Sequence, residues 1–286
     1  MDEKNYDTLV ISGGGIKGFI LLGAIQAVLD SGKLNNVDTY LGTSMGAILG
    51  YLLAIGYTPI EIVVELHTTM NKYLLKTQNF DLTNMINGNG AITFTHLNEG
   101  LEKLTLNKIG KFITLGKLRE EYGKTLICAT YNMTVCTTEY LGPDNYPDLP
   151  CLTAIRMSSN IPMIFDRFKY MDNYYIDGGL TDNFPILKGC EIGNKVLGIC
   201  LEIEENTLKD IPEDGVVSYL FKLLQVPVIQ GTRNQINQVK NLAQDKCTII
   251  NIMSELRNFL QFDVQSKVKL EMFSKGYETV KKNFNQ

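Results

Sequence analysis

The sequence predicts an α/β domain with a largely parallel central sheet flanked by helices. Short apolar strand-like runs alternate with helical patterns along the chain. Two of those strands run into tight, small-residue turns from which a helix starts, Ser12-Gly13-Gly14-Gly15 and Gly42-Thr43-Ser44-Met45-Gly46. No repeat, low-complexity tract or linker divides the 286 residues, so one domain is expected over 1–286.

The elements follow in order. Thr8-Leu9-Val10-Ile11 is a short apolar strand, and a helix should follow from about Lys17 to Asp30 and stop at Gly32. Residues 37–41 are β-branched and apolar, as a short buried strand should be. Residues 45–55 are almost wholly apolar and end at Gly56, a helix stop. Pro59 suits the first turn of a helix that carries Ile60, Val63, Val64 and Leu66 at helical spacing. From 73 to 121 the pattern loosens around a loop at 87–90 and a helix at 96–106; this stretch reads as a peripheral insertion. Residues 125–131 and 135–141 are strand-like, with a turn at Gly142-Pro143-Asp144-Asn145. Residues 150–159 read as a short helix, 167–170 and 174–176 as a hairpin around Asp172-Asn173, and 196–203 as a strand. Residues 216–242 should be helical with an interruption at Pro227, 247–252 form a last strand, and 266–283 a closing helix.

A net charge of −4 with no basic run argues against a nucleic-acid groove. The charged residues 1–7 lead straight into a strand, unlike a signal peptide. The longest apolar stretches, 19–25 and 47–55, fall short of the ~20 residues that a membrane span needs. Six cysteines without a C-x-x-C pair suggest free, buried thiols in a reducing compartment. With two histidines, a zinc site has few ligands to draw on. The expectation is a cytoplasmic protein with no metal and no cofactor.

Ser44 carries the sharpest chemical signal. A strand, a sharp turn and a helix at G-x-S-x-G form a nucleophile elbow, in which small residues let the backbone lift the serine hydroxyl clear of the sheet. Gly13-Gly14-Gly15-Ile16-Lys17-Gly18 also satisfies G-x-G-x-x-G, and Asp38 lies 20 residues beyond Gly18. A dinucleotide site would place that acid at the far end of the second strand, whereas Asp38 sits near its start. A P-loop fails because no Gly-Lys-Ser/Thr follows. Acyl transfer uses both features: amides of Gly13, Gly14, Gly15 and Met45 at helix starts could hold the oxygen that becomes negative. A tight turn without a ligand is the plainer alternative. Lys17 either supports the loop electrostatically, with Gly18 beside it, or is a solvated lysine at a helix start.

A serine nucleophile needs a base. His67 and His96 are the only histidines, and both read as structural. Asp177 in Asp177-Gly178-Gly179 follows a strand and precedes two glycines that admit close approach; a plain Asp-Gly turn reads equally well. A carboxylate, with an ordinary pKa of ~3.9, could serve as a base in a largely dry site.

Together with Ala154-Ile155-Arg156-Met157-Ser158-Ser159-Asn160-Ile161-Pro162, these segments resemble the patatin-like phospholipase family, in the family's order and over residues 9–203. The resemblance implies a three-layer patatin-like fold and a Ser-Asp dyad, Ser44 as nucleophile and Asp177 as base. It also implies an oxyanion hole from the glycine loop and hydrolysis of lipid acyl esters, as a phospholipase A does, without metal. Residues 73–121 and 205–286 carry no matching motif. An acyltransferase or thioesterase using the same dyad, or a catalytically silent lipid-binding protein, are the rival readings. A lipid substrate further implies peripheral contact with a membrane surface, through residues 73–75 with Phe80 and Leu82, or through residues 216–229, where Tyr219, Leu220, Phe221, Leu223 and Leu224 cluster.

Overall fold

A computed structural model describes residues 5–70, 81–87, 89–204, 215–243, 245–254 and 264–284. Strand β1 (Thr8–Ile11) passes through a 3₁₀ turn (Gly15–Lys17) into helix α1 (Gly18–Asp30). Strand β2 (Thr39–Thr43) leads into α2 (Met45–Ala54). Then come α3 (Pro59–Glu65), a π turn (Leu66–Met70), α4 (Leu82–Ile86), α5 (Thr95–Ile109) and α6 (Leu115–Tyr122). Strands β3 (Thr125–Asn132) and β4 (Thr137–Leu141) precede α7 (Cys151–Ser158) and the hairpin β5 (Phe168–Tyr170) and β6 (Asn173–Asp177). The chain continues through α8 (Gly179–Asp182), α9 (Ile186–Ile192), β7 (Val196–Ile203), α10 (Gly215–Leu242), β8 (Cys247–Ser254) and α11 (Ser266–Phe284).

The strands form one sheet in the order β5-β6-β3-β2-β1-β7-β8, with β4 paired to β3. Strands β1, β2, β3, β7 and β8 run parallel, while β4 and β6 are antiparallel to β3. The central strands are apolar on both faces because helices cover both. Leu9 and Ile11 point into a core with α1 and α2, whereas Val10 points into a second one with Phe184, Ile186 of α9 and Ile236 of α10.

Register explains why the site forms where it does. Strand β2 pairs β3 up to Thr43↔Ala129. Strand β4 occupies the other edge of β3 from Cys128 to Asn132, so β6 must share the β2 edge, which it joins at Thr130↔Asp177. The ends of β2 and β6 therefore meet head-on along β3. One residue past Thr43 is Ser44, and the last residue of β6 is Asp177.

Several expectations shift. Among the described residues of the stretch 73–121 none lies in a strand of the sheet, and its Leu101, Leu104, Leu115 and Leu118 are buried in the main core. Its helix α6 had no clear period to announce it. Helix α10 continues through Pro227. The proline removes the bond to the carbonyl of Leu223, a residue 47 % exposed, where water can take the bond's place. The closing helix is integral: a Cβ on Gly23 would lie 1.9 Å from the Phe273 carbonyl oxygen, and one on Gly276 1.9 Å from that of Ile20. Backbones of α1 and α11 thus touch through two glycines. Cys128, Cys151 and Cys200 are buried thiols, but Cys136 is exposed.

Candidate active site

Ser44 has φ 55° and ψ −120°, a region that side chains rarely occupy. The contacts around it leave no other course. Gly46 lies so close to β1 that a Cβ would stand 2.2 Å from the Ile11 carbonyl oxygen, and one on Gly42 would stand 2.3 Å from the Gly46 carbonyl carbon. The helix can then start only after a sharp turn, and the serine sits at its apex. The Ser44 N–H donates to Ser158 Oγ at 2.9 Å, and Ser158 Oγ donates to the Ala129 carbonyl at 2.6 Å. A buried hydroxyl thereby satisfies the amide of the strained residue.

Asp177 is 5 % exposed. Burial pushes its carboxyl up to about 6, against the downward pull of the Ser44 side chain that faces it and of the Gly179 N–H. That N–H donates to Asp177 Oδ1 at 2.7 Å. Ser44, Asp177, Gly13, Gly14 and Asn183 line one cavity, whose remaining wall is mostly apolar: Ile161, Pro162, Leu180, Leu224 and Val228.

The glycine loop takes up the position expected, with one restriction. The Gly13 N–H donates to the Asn183 carbonyl at 2.9 Å and is thus committed to the protein, which corrects its place among the free donors. Gly14, Gly15 and Met45 stand at helix starts, where an N–H has no acceptor within the helix. Among the described residues none of the three donates to a protein oxygen. Gly15 has φ +52°, which a glycine adopts without strain. Lys17 is 5 % exposed, so it is not a solvated lysine. It borders an adjoining hollow behind the loop, with Glu202, Thr232 and Ser254, rather than the Ser44 cavity. Gly18 lies against the side chain of Met45, bringing the two helix starts together.

The remaining candidates separate cleanly. His67 is exposed and lies 3.3 Å from Ser266 Oγ, while His96 is 3.5 Å from Glu99 Oε2. Neither lines the cavity. Asp38 precedes β2, at the end of that strand opposite Ser44. Among the described residues no three His, Cys, Asp or Glu side chains converge as a metal site would require.

Sequence reasoning passed over several neighbours. Asp182, buried at the far end of α8, accepts from the Tyr140 hydroxyl at 2.6 Å, and burial pushes its carboxyl up to about 6. Its backbone carbonyl accepts from Thr43 Oγ1 at 2.8 Å, tying the turn after Asp177 to the strand before Ser44. Ser158 and Asn183 lie inside or beside motifs already singled out, but only through-space partners reveal what they hold. Leu224, Gln225 and Val228 come from α10, a stretch the sequence singled out for lipid contact and not for this cavity.

The model of the patatin-like phospholipase family matches residues 9–188 of the chain. The chain belongs to this family. A protein named "Probable lipid hydrolase 463L" of Invertebrate iridescent virus 6 is 36% identical over 196 residues, which cover 68% of this chain and 67% of that one. A protein of Acanthamoeba polyphaga mimivirus, "Uncharacterized protein R571", is 27% identical over 98% of this chain and 94% of its own length. Among solved structures, VipD from Legionella pneumophila superposes with a TM-score of 0.54 at 18% identity, over 98% of this chain and 67% of that one. This last likeness concerns the fold: a mostly parallel sheet between helices. Membership in the family supports a hydrolase, and the chain is a homologue of a lipid hydrolase.

Proposed function

We propose that the chain is a serine hydrolase of the phospholipase A type, cleaving fatty acyl esters with Ser44 as nucleophile and Asp177 as base. The observation that carries the reading is the head-on meeting of β2 and β6, which sets the strained serine opposite a buried carboxylate in a largely apolar cavity.

Ser44 Oγ attacks the ester carbonyl carbon while its proton passes to Asp177. A carboxyl with a pKa of about 6 is still ionised near neutral pH and is a stronger base than an ordinary aspartate. The carbonyl oxygen becomes an oxyanion, received by the unengaged amides of Gly14, Gly15 and Met45 at two helix N-termini. Collapse of the tetrahedral intermediate expels the alcohol, which takes the proton from Asp177. Water, deprotonated by Asp177, then attacks the acyl-enzyme; Asp177 returns that proton to the departing Ser44 Oγ, and the fatty acid is released. The apolar wall receives the acyl chain, and its dryness strengthens the polar contacts inside. No step calls for a metal or a cofactor.

Peripheral contact with a lipid surface belongs to the same reading. In α10, Leu224 and Val228 line the cavity. On the opposite side Tyr219, Leu223 and Val226 are 61 %, 47 % and 59 % exposed, at the spacing of one helical face. That row would insert partway into the interface. Residues 73–75 and Phe80, the other stretch proposed from sequence, lie outside the described residues.

The test is labelling of Ser44 by a fluorophosphonate probe, together with release of fatty acid from a panel of glycerophospholipids and neutral lipids. Labelling at Ser44 with release from phospholipid is expected. Transfer of the acyl group to an added alcohol or lysolipid in place of water would convert the reading to an acyltransferase, and absence of labelling to a lipid-binding protein.

A further inference from the structure

Strand β6 loses a neighbour just where Asp177 must be held. On one side it pairs with β3 through Asn132↔Tyr175 and Thr130↔Asp177. On the other, β5 reaches only as far as Phe168↔Tyr175. Beyond that point the edge of β6 has no strand partner among the described residues, and Asn160 takes the place. Its carbonyl accepts the Asp177 N–H at 2.9 Å, and its side-chain amide donates to the Tyr175 carbonyl at 2.8 Å. Residues two apart in a strand present their polar groups to the same edge, so one asparagine can engage both.

Asn160 is in turn held from behind. Arg156, four residues earlier at the end of α7, donates through one guanidinium nitrogen to Asn160 Oδ1 at 2.9 Å. Arginine has only donors and the Tyr175 carbonyl only accepts, so the orientation of the Asn160 amide is fixed at both ends. The other terminal nitrogen of Arg156 donates to the Asp166 carbonyl at 2.8 Å and to Asp166 Oδ2 at 3.0 Å. The guanidinium carbon lies 4.1 Å from the ring centre of Phe94 and 5.2 Å from that of Phe168. With 7 % of its side chain exposed, Arg156 is a buried cation held by an acid and by aromatic faces. Phe168 is the β5 residue paired with Tyr175, so Arg156 touches the last strand partner of β6 and the residue that replaces it.

We propose that Asn160 is a positioning residue for Asp177, and that Arg156 fixes Asn160 in that role. The inference rests on the reading of Ser44 and Asp177 as the reacting pair. Neither Asn160 nor Arg156 lines the Ser44 cavity, so their loss should appear in kcat rather than in KM. A displacement of about 1 Å at a reacting group can cost ~10²-fold in rate.

The experiment measures kcat and KM on a hydrolysable lipid ester for Asn160→Ala, Asn160→Asp and Arg156→Lys, each made in the wild-type chain and in Asp177→Asn. Asn160→Asp keeps an acceptor for Arg156 but loses the donor to Tyr175, and Arg156→Lys keeps the charge but loses the fork. These two milder changes carry the test if Asn160→Ala does not fold. The expected result is a fall in kcat of roughly 10²-fold for Asn160→Ala, and a smaller one for the milder variants, with KM little changed. In the Asp177→Asn background the same changes should lower the residual rate no further, because nothing is left to position. An equal proportional loss in both backgrounds would make Asn160 a structural residue only and overturn the proposal, as would a fully active Asn160→Ala. If Asp177→Asn alone kept wild-type activity, the reading of the reacting pair would fail, and that result is seen before any Asn160 variant is considered.

Discussion

Ser44 stands on backbone packed against backbone, whereas Asp177 stands on a strand end completed by side chains from another element. The elbow is fixed by Gly42 and Gly46, whose neighbours leave no room for a Cβ. The strand end is fixed by Asn160, and Asn160 by Arg156. The first kind of support is chiefly steric, between neighbouring backbones, and insensitive to charge. The second joins residues far apart, depends on hydrogen bonds and ions, and can be loosened one contact at a time. A nucleophile gains from the rigid support. A base gains from an environment that also sets its pKa, and burial does that here.

The comparison can be broken first at the oxyanion side of the elbow. Gly15→Ala places a side chain where φ is positive and shifts the neighbouring amides. Removing one oxyanion donor costs ~10²–10³ in kcat, and a loss of that size is expected with only a modest fall in thermal midpoint. A fully active variant, read by kcat on a lipid ester, would move the oxyanion to other donors.

The base side gives a pH signature. As the proposed base, Asp177 would have to be ionised to accept a proton, so kcat/KM should fall about tenfold per pH unit below about 6. The sign for stability is opposite. Because the folded carboxyl sits above its unfolded value of ~3.9, its contribution to stability is greatest at low pH and is lost as pH rises through about 6. Asp177→Asn should therefore be more stable than wild type at pH 7 to 8, on the order of 2 kcal/mol, while inactive. Thermal unfolding at pH 5 and at pH 8 checks it, with the gap between the two proteins wider at pH 8.

How much of this could be read in advance follows the same division. Strand β7 was legible to the residue because a buried parallel strand is a continuous apolar run. The strand expected at 135–141 begins at Thr137, since Val135 is apolar but 59 % exposed in the turn, and Cys136 has φ 54°. The strand expected at 37–41 lies at Thr39–Thr43: Val37 is buried but precedes the ladder. Short helices such as α8 and α9 have too few turns for a period to show. Ser44 and the glycine loop were legible because a sharp turn must be written in adjacent residues. The roles of Ser158, Asn160 and Asn183 were not, because each is defined by a partner distant in sequence.

Smaller effects sharpen the picture. His67→Gln with His96→Gln should keep activity within about tenfold, well short of what removal of a catalytic base costs. A fall as deep as that of Ser44→Ala in a folded protein would point to a different base. Tyr219→Ser with Leu223→Ser should weaken co-sedimentation with vesicles while sparing hydrolysis of a dispersed short-chain ester. With a net charge of −4, that binding should change little with salt. Unchanged vesicle binding would remove the outer face of α10 from the lipid contact.

The most direct test of the site takes Ser44→Ala, Asp177→Asn and the double variant through the same assay, with folding checked by circular dichroism. Members of one catalytic unit act non-additively, so each single change should remove most of the activity and the double should be about as inactive as the worse single. Losses that multiply in the double variant would mean that Ser44 and Asp177 act separately, and would contradict the reading of the two strand ends as one reacting pair.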